Sequence, residues 1–202
     1  MSAALTLTAE NGHFTASANA RYTTDHDDVT RELEELIRNH PMVVKLNSQS
    51  DFLEWRPHSH TSKLNTLHSF IGRTLMGPGK IAVSPLTWVK KDGRSLIQIL
   101  HLGSDLCGHS GIVHGGMLAT MLDDGFANCC SAALPNKIGV TANLNINYCT
   151  PVSAGDFVVL RANTTKIEGR KIWVEGHIET LVTEGERPVV MVKASALFIE
   201  RR

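Results

Sequence analysis

Aromatic side chains are scarce in this chain, with 3 Trp, 2 Tyr and 6 Phe making up 5% of 202 residues. A surface that stacks successive nucleic-acid bases needs more of them. An excess of either charge is also lacking. Lys and Arg number 20, Asp and Glu number 20, and the formal net charge is zero. No global field therefore steers the protein to nucleic acid or to an anionic membrane. No apolar run approaches the ~20 residues that span a bilayer, so no membrane span is expected. The opening MSAALTLTAENGHF has neither a basic leading region nor a long apolar core, unlike a secretory signal. It is rich in Ser, Thr and Ala, with Arg21 as its first basic side chain, which is only a weak match to a mitochondrial presequence. Cysteine is limited to Cys107, Cys129, Cys130 and Cys149. These show no CxxC and no disulfide-framework spacing. A reducing, intracellular compartment is expected, cytoplasmic or mitochondrial.

The length suits one domain with room for an extra arm. Residues 1–26 are small, polar and aperiodic and read as a flexible arm. Residues 27–39, DDVTRELEELIRN, place Val29, Leu33, Leu36 and Ile37 at helical spacing, with acids early and Arg38 late. Pro41 stops that helix. Short helices are expected near 49–55 and 62–70, so 27–80 forms a helical extension. GPGK at 77–80 is a turn and not a phosphate loop, because no GxxxxGK[ST] surrounds it.

From Ile81 the pattern becomes that of strands. IAVSPLTWVKK and SLIQILHLG flank KDGR, a hairpin turn. A loop, the apolar run 113–134 and four strands follow, near 138–149, 156–168, 170–183 and 188–200. Two strands, one helix and four strands make an α+β pattern with a mostly antiparallel sheet. Met117, Leu118, Met121, Leu122, Phe126, Ala127, Cys129, Cys130 and Ala133 cover nearly every face of the helix, and a helix apolar all round is buried. The economical arrangement is a curved sheet wrapped around a long central helix, occupying 81–202.

The chemistry gathers in GIVHGGMLATMLDD, residues 111–124. A helix start leaves its first N–H groups unpaired and adds partial positive charge. Gly115 and Gly116 would let a carbonyl oxygen approach those N–H groups and become a stabilised oxyanion. The plainer alternative is a tight entry into a buried helix. Asp123 lies two turns beyond Gly116 on nearly the same face, and Asp124 is rotated from it by about 100°. A carboxylate in an apolar helix must be hydrogen-bonded or shifted in pKa, which suits a base or nucleophile and equally suits a backbone cap. Asp123 is roughly 10 Å along the axis from Gly116. Both groups can serve one carbonyl only if two helices meet about a two-fold, which predicts a homodimer with shared active sites.

VHGGMLATMLDD followed by VTANLNINYCTPV resembles the hotdog-fold acyl-CoA thioesterases of the phenylacetate-degradation (PaaI) type. It is most similar to their thioesterase-superfamily-member (THEM-like) branch. The resemblance covers residues 81–200. It implies a hydrolase that splits a fatty or aryl acyl-CoA into free acid and CoA, in lipid metabolism, as a homodimer or homotetramer. No cofactor is implied beyond the CoA of the substrate. Gly115 resembles the oxyanion donor, Asp123 the nucleophile or general base, Thr141 the residue that positions the acid or its water, and His114 the brace of the glycine turn. Many bacterial members carry Asn six residues before that histidine. Here the position is Gly108, and His109 is the neighbour that would substitute.

Other readings accompany this one. Asn143, Asn145 and Asn147 alternate with Leu144, Ile146 and Tyr148, so Thr141 and the asparagines form a polar face, near the site or simply solvated. Lys166, Arg170 and Lys171 flank a turn and would meet CoA phosphates or merely solvate a hairpin. GHSGI lacks the last glycine of a nucleophile elbow. Cys107 beside His109 or His114 would be a thiol–base pair or a loop cysteine. His58 with His60, or His109 with His114, lacks the company of a metal site, and no metal is expected. The alternative functions are a non-catalytic acyl-CoA or acyl-carrier binding protein on the same fold, and a hydratase or dehydratase.

Overall fold

The computed structural model describes residues 6–10, 13–17, 26–58, 69–134 and 138–201. Two short strands, β1 (Thr6–Glu10) and β2 (His13–Ser17), pair with each other, where the sequence suggested only an aperiodic arm. Helix α1 (His26–Arg38) follows the expected amphipathic pattern and buries Leu33 and Ile37. Pro41 does more than stop it. Proline is favoured in the first turn, where its missing N–H costs nothing, and Pro41 opens a second helix, α2 (Pro41–Ser48), capped by the His40 side chain.

The helix expected near 49–55 is instead a strand, β3 (Phe52–Trp55). Its residues alternate across the sheet, and it pairs antiparallel with β4 (Leu86–Lys90). The extension is thereby joined to the main sheet. Only 69–70 of the helix expected over 62–70 lie within the described residues, and Phe70–Leu75 form a short π-helical turn. β5 (Ser95–His101) follows the Asp92–Gly93 turn, where Gly93 has φ 70°. Two short strands, β6 (Cys107–His109) and β7 (Ile112–Val113), lead into the central helix α3 (Gly115–Ala133). β8 (Gly139–Tyr148), β9 (Phe157–Glu168), β10 (Lys171–Thr180) and β11 (Val190–Glu200) complete the chain.

The main sheet has seven strands in the order β3-β4-β5-β9-β10-β11-β8, every neighbour antiparallel. Its inner face wraps α3. Met117, Leu118, Met121, Leu122, Phe126, Cys129 and Cys130 bury against Leu160, Val174, Ile178, Val192 and Phe198. Close approach requires glycine at one point. A Cβ on Gly176 would lie 2.7 Å from Phe126 Cε1 and 2.1 Å from the Arg161 carbonyl oxygen. On the outer face, Leu33, Ile37, Val43 and Leu46 of α1 and α2 cover Trp88, Ile99, Phe157 and Val159. Trp88 Nε1 donates to Asn47 Oδ1 at 2.8 Å. One layer of sheet thus separates two cores. Among the described residues no helix is long and apolar enough to cross a membrane.

Two stability predictions follow from this packing. Phe126 is fully buried, so Phe126→Ala is expected to lower unfolding free energy by about 3–5 kcal/mol, read from urea melts. His101 is buried beside Phe157, and burial pushes its pKa down to about 4. Between the ordinary histidine value and about 4, the unfolded chain takes up a proton that the folded chain refuses. Stability is therefore lost as pH falls through that window, by on the order of 3 kcal/mol. His101→Gln is expected to flatten this dependence of the urea midpoint, whatever its effect at neutral pH.

Candidate active site

The entry into α3 is built by short-range bonds. His114 has extended backbone, φ −62° and ψ 132°, and its Nδ1 accepts the Gly116 N–H at 2.9 Å. This is an N-cap bond, and it fixes the ring proton on Nε2. Thr120 Oγ1 donates to the Gly116 carbonyl at 2.9 Å, and the Tyr148 hydroxyl donates to the Gly115 carbonyl at 2.9 Å. His114, expected to brace the turn, does so. Gly116, expected as a second oxyanion donor, has its N–H taken by that brace. Among the described residues nothing accepts the Gly115 N–H, so the donor left at this helix end is Gly115.

Gly108 also has a reason. A Cβ there would lie 2.7 Å from His114 Cδ2, so the absent side chain is where the imidazole sits. His109 is exposed on the adjoining β6.

Asp123 and Thr141 meet as the sequence suggested, with Thr141 Oγ1 donating to Asp123 Oδ1 at 2.7 Å. Asp123 Oδ2 has no partner among the described residues. The route to this contact was not the one expected. Strict alternation puts Thr141 on the face of the three asparagines. The ladder between β8 and β11 instead shifts register, pairing Asn143 with Leu197 and Thr141 with Phe198, so that Ala142 is bulged. A bulge turns the side chains beyond it to the other face. Thr141 therefore shares the inner face with Leu144 and Ile146, which pack on the α3 core. Asn143 stays on the outer face, where its Oδ1 accepts from Asn145 Nδ2, and so is not beside Asp123.

Asp124 points elsewhere, as its rotation on the helix requires. Its Oδ2 is 3.2 Å from His58 Nε2 and accepts from Asn128 Nδ2 at 3.1 Å. Among the described residues His58 is the non-glycine residue with positive φ, 68°. The sequence offered it as a metal partner of His60. It pins the extension to α3 instead, and His60 lies outside the described residues. Among the described residues no three His, Cys, Asp or Glu side chains could hold a metal ion.

The remaining candidates lie apart or are engaged. Lys166 pairs with Glu168 at 2.7 Å and lies 5.0 Å over the Trp173 ring. Arg170 donates to the Glu200 carbonyl from Nε and a terminal nitrogen. Lys171 is exposed beside them. Burial pushes the Cys129 thiol up to about 11 and the Cys130 thiol up to about 12, so neither is a nucleophile at neutral pH. Tyr148 and Thr120 were missed as site residues. The sequence carried no signal for Tyr148, because its odd spacing from Thr141 puts the two on opposite faces of a regular strand.

An antiparallel sheet curved around one buried helix, with an acid midway along it and a glycine turn at its start, defines a hotdog fold. The model of the thioesterase superfamily matches residues 110–184. An uncharacterized protein of Schizosaccharomyces pombe is 32% identical over 160 residues, 79% of this chain and 88% of that protein. The acyl-coenzyme A thioesterase THEM4 of Mus musculus is 35% identical over 104 residues, 52% of this chain and 42% of THEM4. The solved structure of an acyl-CoA hydrolase mutant from Staphylococcus aureus superposes with a TM-score of 0.51 at 13% identity, over 55% of this chain and 68% of that one. The chain belongs to the thioesterase superfamily.

Gly108→Ala is expected to push His114 off the Gly116 N–H. Loss of that cap should cost about 1 kcal/mol in urea unfolding and speed hydrogen exchange at the Gly116 amide.

Proposed function

We propose that this protein hydrolyses acyl-CoA thioesters, with Gly115 N–H as oxyanion donor and Asp123 as the acid that drives attack. The observation that carries the reading is the pair of prepared groups. One is a helix-terminal N–H held open by three side-chain braces. The other is a carboxylate with one oxygen fixed by Thr141 and the other free. Catalysis of acyl transfer rests on such preorganised donors. Water adds to the thioester carbonyl as Asp123 takes its proton, or Asp123 itself adds and water splits the resulting anhydride once the thiolate has left. In either route the carbonyl oxygen gathers charge against Gly115 N–H. The C–S bond then breaks, and the CoA thiolate leaves and is protonated. Label from 18O-water found in Asp123 after a single turnover marks direct attack, with water opening the anhydride at the Asp123 carboxyl carbon.

Asp123 lies eight residues beyond Gly115, about 12 Å along the helix, too far for one small carbonyl. We place the reaction between two copies, the Gly115 of one protomer facing the Asp123 of its partner. Among the described residues one edge of β8 is unpaired, which supports this pairing. It carries exposed Val140 and Tyr148, and Ile138 just before it is 51% exposed. An unpaired strand edge with apolar side chains calls for a partner. His109 stands near the glycine turn as a thioester contact. Lys171, with Lys166 and Arg170 beside it, is the candidate contact for CoA phosphate.

Thiol release from a panel of acyl-CoAs tests the reading. Asp123→Asn is expected to lower kcat by about 10²–10⁴, and equal turnover would remove Asp123 as the catalyst. Gly115→Pro deletes the donor in a residue type that suits the first helical position and the extended His114 before it. It should lower kcat by about 10²–10³. Mixing the two inactive variants is expected to restore about a quarter of wild-type activity if sites are shared across a two-fold. Tight acyl-CoA binding with no hydrolysis would favour the non-catalytic alternative.

A further inference from the structure

One side chain couples the two halves of the site, and it lies on the same strand as Thr141. Tyr148 ends β8. Its hydroxyl donates to the Gly115 carbonyl oxygen at 2.9 Å. Its ring packs on Gly115, where a Cβ would meet ring carbons at 3.4 Å. Thr141, seven residues earlier, holds Asp123. In a regular strand, side chains seven apart point to opposite faces. The Ala142 bulge is what allows both to reach α3.

We propose that Tyr148 is the positioning residue of the oxyanion donor. By clamping the Gly115 carbonyl it fixes the rotation of the Gly115 backbone, and so the direction of the Gly115 N–H. This inference rests on the thioesterase reading for its kinetic consequence, but not for the clamp itself.

The chemistry favours such a clamp. Glycine at a helix start has no Cβ to restrict φ and ψ, so the same freedom that opens the turn to a ligand also lets its N–H wander. An oxyanion donor is effective only when its direction is set before charge develops. His114 and Thr120 hold the N–H and carbonyl of Gly116. Tyr148 holds the Gly115 carbonyl, at the other end of the planar peptide whose N–H His114 caps. Because β8 also carries Thr141 and presents the free edge, one strand sets the donor and the acid and offers the surface for a second copy. Assembly through that edge would fix both groups together.

Tyr148→Phe keeps the ring and removes the hydroxyl. In the full-length protein it is expected to lower kcat for acyl-CoA hydrolysis several-fold with KM unchanged. The Gly115 and Gly116 amide signals should move in 15N-labelled protein, while the thermal midpoint stays close to wild type. An unchanged kcat, or an equal rise in KM alone, overturns the positioning role. Unmoved Gly115 and Gly116 signals overturn the clamp. The amide readout needs no turnover. If the wild type hydrolyses no acyl-CoA the proposed function falls, and the amide signals still decide whether Tyr148 holds the turn. Should Tyr148→Phe lose its fold, 3-fluorotyrosine at the same position alters the hydroxyl and little else. The same shift of amide signals is then expected, and its absence overturns the proposal.

Discussion

The burial of one helix governs this molecule. α3 is apolar on nearly every face, so it cannot lie on a surface and must be enclosed. The sheet curves to enclose it, and close contacts such as Phe126 against Gly176 set how tightly. An enclosed helix can expose little of itself. What remains accessible is its N-terminal turn and the side that looks toward β8. Those are the places where His114, Gly115 and Asp123 lie. The site therefore follows from enclosure, and its residues are the polar and glycine exceptions that an otherwise apolar helix carries.

The same sheet serves a second core. α1 and α2 lie on its outer face and bury Trp88, Ile99 and Phe157 from that side, while β3 extends it by a strand. The extension reaches the inner side too, through His58 on Asp124. Adjacent aspartates on a helix point about 100° apart. The pair thereby divides its labour: one acid faces β8 and Thr141, and the other ties down the extension. A left-handed backbone at His58 costs of order 1–3 kcal/mol unless its surroundings hold it, and the bond to Asp124 is part of that hold.

Around the glycine turn, bracing and vacancy are two aspects of one design. The His114 brace satisfies an N–H that the helix start leaves without a partner, and the Thr120 and Tyr148 hydroxyls add bonds to carbonyls of the first turn. Gly116 has both its N–H and its carbonyl engaged, and Gly115 has its carbonyl engaged. Among the described residues the Gly115 N–H is the donor left over, on a turn that has little room to move. Gly108 contributes by absence, since the space of its missing side chain holds the imidazole that does the capping. On Asp123 the pattern repeats, with one oxygen held and the other left over.

Much of this was legible in the residues. The buried helix, the order of strands, the turn at Asp92–Gly93 and the partnership of Asp123 with Thr141 all rest on local pattern or on a compact motif. The reason is that hydrophobic period, capping and turn chemistry act over a few residues. Tertiary structure decided the rest. Phe52–Trp55 is too short for periodicity to separate helix from strand, and only pairing with β4 settled it. A bulge is a register shift against a distant strand, so nothing in TANLNINY announced that Thr141 would leave the asparagine face. Whether an N–H is free depends on what else arrives near it. The sequence by itself determined that a donor turn and an acid share one buried helix. Only the fold supplied the rest of the bracing, because Tyr148 comes from β8 and the space His114 fills is left by Gly108 of β6, whereas the His114 cap on the Gly116 N–H spans two residues.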